Sequence, residues 1–343
     1  MSVNVSNSQS NIAVIGAGSW GSALSFALAR NGHQITLWGH SESHVSNMQQ
    51  SRSNERYLPG FNFPDNLQVS HDLASLVASH SIFLIVTPSH AFRETIAKLK
   101  SYNIKDNATV IWATKGFDKG SDETGPILLS DVIKQDLGSK INQAIVSGPS
   151  FSKEVAANLP TAMTCAANNE STANFVTQLF HGERMRIYTN QDLIGVQVGG
   201  AIKNVMAIAA GISDGLGFGA NSRSAIITRG LTEIARLGVT FGAKSSTFQG
   251  LTGMGDLILT CTDDQSRNRR FGLGLGKGLS VDECLKSIGQ EVEGYTTSRE
   301  LKRLAQHKNV EMPISEQVYR VIYQGIKPSD AVNTLLSRDL GIE

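Results

Sequence analysis

The chain is poor in cysteine. Cys165, Cys261 and Cys284 are the only three in 343 residues, odd in number and without metal-like spacing, which excludes a disulfide scaffold and a cysteine zinc site. It has no surplus of either charge, with 31 Lys and Arg against 30 Asp and Glu. No chain-wide field therefore draws in nucleic acid or an anionic membrane, and any anion must be bound locally. There is no H-E-x-x-H, no EF-hand loop and no Walker A sequence, which leaves metal and nucleotide-hydrolysis chemistry without support. Long apolar runs are missing too. The most apolar stretch, Leu193 to Ile212, is broken by Gln197, Lys203 and Asn204, short of the roughly 18 unbroken apolar residues of a span. The opening MSVNVSNSQS has neither the basic nor the apolar region of a secretory leader. These absences predict a cytoplasmic globular protein with no metal, no nucleic-acid partner and no membrane span. Its length suits two domains.

The first half alternates. Short β-branched runs (NIAVIG from Asn11, ITLWG from Ile35, IFLIVT from Ile82, TVIWAT from Thr109, QAIVSG from Gln143) are separated by helical patterns, the signature of strands buried on both faces of a parallel doubly wound sheet. TAMTCAA from Thr161 and MRIYTN from Met185 are expected to complete the sheet. From Asp192 onward the period is 3.6 residues almost throughout. The predicted division is therefore an α/β domain over residues 11–191 and an all-helical domain over 192–343, joined by continuous helix, with a ligand site in the cleft at the carboxyl ends of the strands.

Glycine is the one excess, at 33 residues, and it is placed with purpose. Gly16, Gly18 and Gly21 form GxGxxG directly after the first strand and at the start of a helix. Gly16 permits the turn, Gly18 lets a pyrophosphate touch the backbone, and Gly21 allows close helix–strand packing. This predicts a dinucleotide fold of Rossmann type. The second strand ends Trp38, Gly39, His40, Ser41, without the carboxylate that holds the ribose of NAD, so NADPH is the preferred cofactor, with NADH tolerated. His40 could hydrogen-bond either form of the ribose; the alternative is a solvated loop histidine.

Lysines are the candidates for the chemistry. Lys203 interrupts a core-like helix three and four residues after Gly200 and Gly199, over which its side chain leans. The glycines either leave room for a small molecule or serve close helix contact. Lys115 follows TVIWAT at the carboxyl edge, where a second cation would depress the pKa of Lys203 and attract a dianion. Ser266, Arg267, Asn268, Arg269 and Arg270 are the densest basic cluster and point to a phosphorylated substrate. Asp256, after a glycine turn, either caps a helix, binds a hydroxyl or orients Lys203. GISDG from Gly211 matches the serine-hydrolase pattern but follows a helix where that motif needs a strand, so the match is accidental.

Together IAVIGAGSWGSALS, WATKG, SGPSF, GGAIKN, GFGANSRSAIITRGL, GMGDLILTCTDDQSRNRRFG and QEVEGY resemble the bacterial NAD(P)-dependent glycerol-3-phosphate dehydrogenases. The resemblance implies reversible reduction of dihydroxyacetone phosphate to sn-glycerol 3-phosphate, a phospholipid precursor, by a homodimer. It implies Lys203 as the acid–base, Lys115 as a substrate-binding lysine, Gly148 and Ser150 near the substrate, and Asp256 near Lys203. It further implies Ser266, Arg267 and Asn268 on the phosphate, with Arg267 also reaching the cofactor. Ser19, Trp20, His40, Lys115, Ser152, Glu291 and Glu293 are then expected around the dinucleotide. Two features depart from the family: Ser152 stands where relatives often carry alanine, and the loop GFDKGSDETG after Lys115 looks longer. A 3-hydroxyacid dehydrogenase would not need SRNRR, and a sensor that binds NADPH without turnover would not need a proton donor at Lys203.

Overall fold

The structure, a computed structural model, describes residues 9–123 and 125–337. The first eight residues, on which the leader reading partly rests, and the last six, which end the second predicted domain, lie outside the described residues. The chain divides into two compact units, one of residues up to 114 with 129–193, the other of 115–128 with 194 onward. Residues 115–128, which the sequence places in the first domain, thus cluster with the helical unit.

Among the described residues twelve strands run in chain order: β1 (Asn11–Ile15), β2 (Gln34–Trp38), β3 (Ser53–Asn54), β4 (Leu58–Asn62), β5 (Leu67–Ser70), β6 (Ile82–Ile85), β7 (Thr109–Trp112), β8 (Asp118–Ser121), β9 (Gly125–Ile127), β10 (Asn142–Ser147), β11 (Thr161–Ala167) and β12 (Met185–Asn190). The first unit is built on an eight-stranded sheet in the order β12-β11-β10-β7-β6-β1-β2-β5. All its neighbours pair in parallel except β10 and β11. Strands β6 and β7 are buried at every residue, as strands covered on both faces must be. The chain leaves β1 for β2 on one side and returns through β6 on the other. The β1/β6 boundary is therefore the switch point at which such sheets bind ligands. A small antiparallel hairpin, β3–β4, lies outside the sheet.

The second unit is centred on the Leu193–Gly215 helix, in which every residue from 195 to 213 is buried. By length and apolarity alone this helix would cross a membrane, yet 89% of its most apolar window is buried inside the protein, so it is a core helix. It crosses the Arg267–Gly276 helix at very close range. A side chain on Gly215 would meet Leu273 O at 2.5 Å, and Gly211, Gly272 and Gly276 are equally closed in by backbone of the other helix. The accidental GISDG match is thus a helix-packing surface. The β8–β9 hairpin joins this otherwise helical unit: Phe117 and Leu128, which flank it, are in its core.

Candidate active site

The helical unit brings two candidate lysines onto the carboxylate of a third candidate, Asp256. Lys203 Nζ donates to Asp256 Oδ1 and, at 2.8 Å, to Thr260 Oγ1, while Lys115 Nζ donates to Asp256 Oδ2 at 2.6 Å. Thr260 gives its own proton to the Asp256 carbonyl oxygen at 2.5 Å, so it meets Lys203 with a lone pair. Asp256 is fully buried and Lys203 only 7% exposed. The carboxylate is placed by a π-helical turn, Leu251–Gly255, running into the Asp256–Thr262 helix, on which Thr260 lies one turn along the same face. That turn docks closely on the core helix. Thr252 Oγ1 donates to Val196 O at 3.0 Å, and a Cβ on Gly199 would sit 2.9 Å from Thr252 O. Gly199 therefore serves close backbone contact rather than substrate space. Of the roles open to Asp256, the structure shows it gripping both lysines.

This burial sets the acidity of the amine. Lys203 is pushed down to about 8, chiefly by loss of water and further by the Lys115 ammonium, against the pull of Asp256. At neutral pH the group is still mostly protonated, and it can lose its proton without leaving the physiological range. Cys261 lies on the same helix as Asp256 and Thr260, and burial holds its thiol up at about 12, which removes it as a nucleophile.

The basic cluster divides by direction. Ser266 caps the Arg267–Gly276 helix, its hydroxyl accepting from Arg269 N at 3.2 Å. Asn268 in the first turn donates to Asn204 Oδ1 at 3.0 Å and accepts from Gly294 N at 2.8 Å. Asn204 directly follows Lys203, so the helix N-terminus is tied to the helix that carries the buried amine. Arg267 approaches Gln290 Oε1 at 3.5 Å. Burial lowers its pKa, and the carboxylates of Glu293 and Glu291 oppose that fall. Arg269 turns inward: it donates to Cys261 O, Asp264 and, at 2.6 Å, Asp214 Oδ2, and is an internal anchor. Thr260 and Asn204 were missed by the sequence reading. Their signals were there: four residues after Asp256, and next to Lys203.

The sheet unit carries the other candidates at its carboxyl edge. Gly16 has φ +122, and a Cβ there would lie 2.7 Å from Val86 O at the end of β6. A Cβ on Gly21 would strike Gly16 O, whereas Gly18 has nothing within 4 Å of its missing side chain. The Ser19–Arg30 helix that follows has no side-chain cap, so its first N–H groups point outward at that opening. Two buried polar atoms beside this turn, Trp20 Nε1 and Thr87 Oγ1, have no partner among the described residues. Thr87, whose N lies 3.1 Å from an ideal Gly16 Cβ, was not foreseen. An open glycine, an uncapped helix and unsatisfied donors suit the pyrophosphate and ribose of a dinucleotide. His40 is exposed at the end of β2. Gly148 (φ +150) and Ser150, whose Oγ donates to Gly148 O at 2.9 Å, follow β10, and Ser152 opens the next short helix.

Comparison with known proteins agrees with these two halves. The model for the N-terminus of NAD-dependent glycerol-3-phosphate dehydrogenase matches residues 11–173, and that for the C-terminus of the same enzyme matches residues 192–333. The glycerol-3-phosphate dehydrogenase [NAD(P)+] of Bartonella quintana is 51% identical over 331 residues, 96% of each chain. That of Citrobacter koseri is 50% identical over 335 residues, 97% of each. The crystal structure of glycerol-3-phosphate dehydrogenase from Coxiella burnetii superimposes with a TM-score of 0.92 at 46% identity, covering 96% of this chain and 99% of its own.

Proposed function

Since the chain belongs to the NAD-dependent glycerol-3-phosphate dehydrogenase family, we propose that it catalyses the reversible NAD(P)H-dependent reduction of dihydroxyacetone phosphate to sn-glycerol 3-phosphate, supplying glycerophospholipid synthesis. The observation that carries the mechanism is the buried carboxylate of Asp256 gripped by Lys203 and Lys115.

Bound NADPH or NADH supplies a hydride. Lys203 delivers the proton: its ammonium hydrogen-bonds the ketone oxygen, stabilises the negative charge that grows there, and protonates it to the alcohol. In the reverse direction the neutral amine takes that proton back. A pKa of about 8 makes both directions accessible, because neither charge state is remote from neutral pH. Asp256 and Thr260 hold the amine in place, and Lys115 both lowers its pKa and adds positive charge for the phosphorylated substrate. Arg267 and Asn268, in the first turn of the helix capped by Ser266, bind the substrate phosphate with two side chains and outward-pointing N–H groups. Gly148 and Ser150 border the substrate.

Residues 11–191 hold the dinucleotide through Gly16, Gly18, Ser19, Trp20, Gly21, His40 and Ser152. Residues 192–343 supply the acid–base and phosphate groups, with Lys115, Arg267, Glu291 and Glu293 also serving the cofactor. The enzyme works as a cytoplasmic homodimer and prefers NADPH. The test is the initial rate of NADPH and NADH oxidation with dihydroxyacetone phosphate and with unphosphorylated dihydroxyacetone. Turnover that requires the phosphate supports the assignment; equal rates with both ketones, or none with either, refute it.

A further inference from the structure

Arg56 sits at the tip of the β3–β4 hairpin, a segment to which nothing above gives a role. Asn54 pairs with Leu58 across the hairpin, so Glu55, Arg56 and Tyr57 form its three-residue turn. The turn is pinned from beneath. The Asn54 amide, 1% exposed, donates to Ala17 O at 3.0 Å and to Ser22 Oγ at 2.8 Å, which ties the hairpin to the glycine turn and to the helix behind it. Arg56 lies over the Tyr57 ring at 5.1 Å, and the His44 ring meets Tyr57 edge-on at 5.3 Å. Ser43, His44, Asn47, Ser51, Glu55 and Arg56 line one hollow on this face.

The hollow carries one guanidinium, that of Arg56, and it adjoins the end of β2, where a ribose-binding carboxylate is missing. His44 is pushed below its usual value by burial first, then by Arg56 and by His40, so both side chains are within electrostatic reach of its ring. Glu55 is the one carboxylate among the residues lining the hollow. Arg56 and His40 are both exposed; the guanidinium stays charged without a partner and the imidazole offers a ring N–H, so the pair can receive an anion and tolerates a ligand that brings none.

We propose that His40 and Arg56 together bind the 2′-phosphate of NADPH, and that Arg56 is the residue that separates NADPH from NADH. The inference rests on the dinucleotide reading of this unit and adds a specificity residue to it. A guanidinium presents a planar pair of donors to phosphate oxygens, while the 2′-hydroxyl of NADH offers it no charge. His40 is the second donor on the side of the β2 terminus.

The experiment is equilibrium binding of adenosine 2′,5′-bisphosphate and of 5′-AMP to the full chain and to its Arg56→Ala variant, by calorimetry at low salt. Arg56 is exposed, so its truncation should leave the fold intact, which circular dichroism checks. The wild type is expected to favour the bisphosphate. Arg56→Ala should weaken bisphosphate binding by about 10- to 100-fold and shift 5′-AMP binding by less than about 2-fold. Arg56→Lys should recover part of the loss. A wild type that does not distinguish the two nucleotides overturns the proposal, as does a variant that loses both equally or neither. Turnover of NADH with dihydroxyacetone phosphate in that case leaves the dehydrogenase reading intact. Discrimination by Arg56 in a protein that turns over neither cofactor supports the phosphate pair and refutes the dehydrogenase.

Discussion

Replacing Lys115 by methionine should make Lys203 a weaker acid. Both ammonium groups hydrogen-bond the Asp256 carboxylate, one on each oxygen, which leaves their nitrogens roughly 5 Å apart. At an effective dielectric constant of about 20, two unit charges at that distance repel by about 3 kcal/mol, or about 2 pKa units. Removal of Lys115 relieves this repulsion and leaves Asp256 to Lys203 alone, so the Lys203 pKa should rise from about 8 to between about 9 and 10. In the proposed mechanism ketone reduction needs the protonated amine. The alkaline limb of log kcat/KM against pH, which reports the free enzyme, should therefore move up by about 1 to 2 units in Lys115→Met. The height of the profile should fall as well if Lys115 binds the substrate as proposed, but the position of the limb does not depend on its height. A limb within about 0.3 units of the wild type would refute the coupling. Stability provides a second readout. The folded value lies below the usual 10.5, so between pH 8 and 10.5 the unfolded chain binds more protons and the wild type gains stability as pH rises; the variant should gain less.

Three further outcomes follow from the same structure. Changing Arg267 and Asn268 to alanine should raise the KM for dihydroxyacetone phosphate by at least about 10-fold; steady-state kinetics with an unchanged KM would remove the phosphate from this helix terminus. Glu233 on the Ala220–Thr240 helix, 2% exposed, accepts from Ile314 N at 2.6 Å, Ser315 N at 3.2 Å and Ser315 Oγ at 2.9 Å, and so caps a helix some eighty residues on. Glu233→Ala strands those buried donors and should cost about 2–4 kcal/mol in a urea titration without changing the pH limb of Lys203. Burial raises all three thiols, to about 12 for Cys165 and Cys261, so the native protein should not react with Ellman's reagent at pH 8 and should release three equivalents on unfolding.

Strands buried on both faces were legible because their composition states their environment: β6 and β7 are apolar throughout. β5 was not read, since its four residues, LQVS, expose Gln68 and half-expose Ser70 at the sheet edge. The β3–β4 hairpin was hidden by Pro59 and Gly60 inside β4. That β11 runs against β10 could not be read either, because an apolar run carries no direction. Within the site, Lys203 stood out as a charge in a helix too apolar to tolerate one without use. Gly199, four residues before it, stayed open between two readings, because an absent side chain does not reveal whether a ligand or another backbone fills its place; here the Thr252 carbonyl does.

The segment after Lys115 makes the same point about distance. Its sequence, glycine-rich and charged, reads as a surface loop. In the structure Arg303 donates to Lys119 O at 2.9 Å and to Ser121 O at 3.2 Å, and a Cβ on Gly125 would lie 2.6 Å from the His307 ring. Together with buried Phe117, these contacts anchor the hairpin on the Glu293–His307 helix. The loop residues contribute mainly backbone carbonyls, and the donor that meets them lies more than 180 positions away. No local pattern encodes such a contact. Lys115 thus reaches Asp256 from a segment fixed within the helical unit, although the strand that precedes it belongs to the sheet.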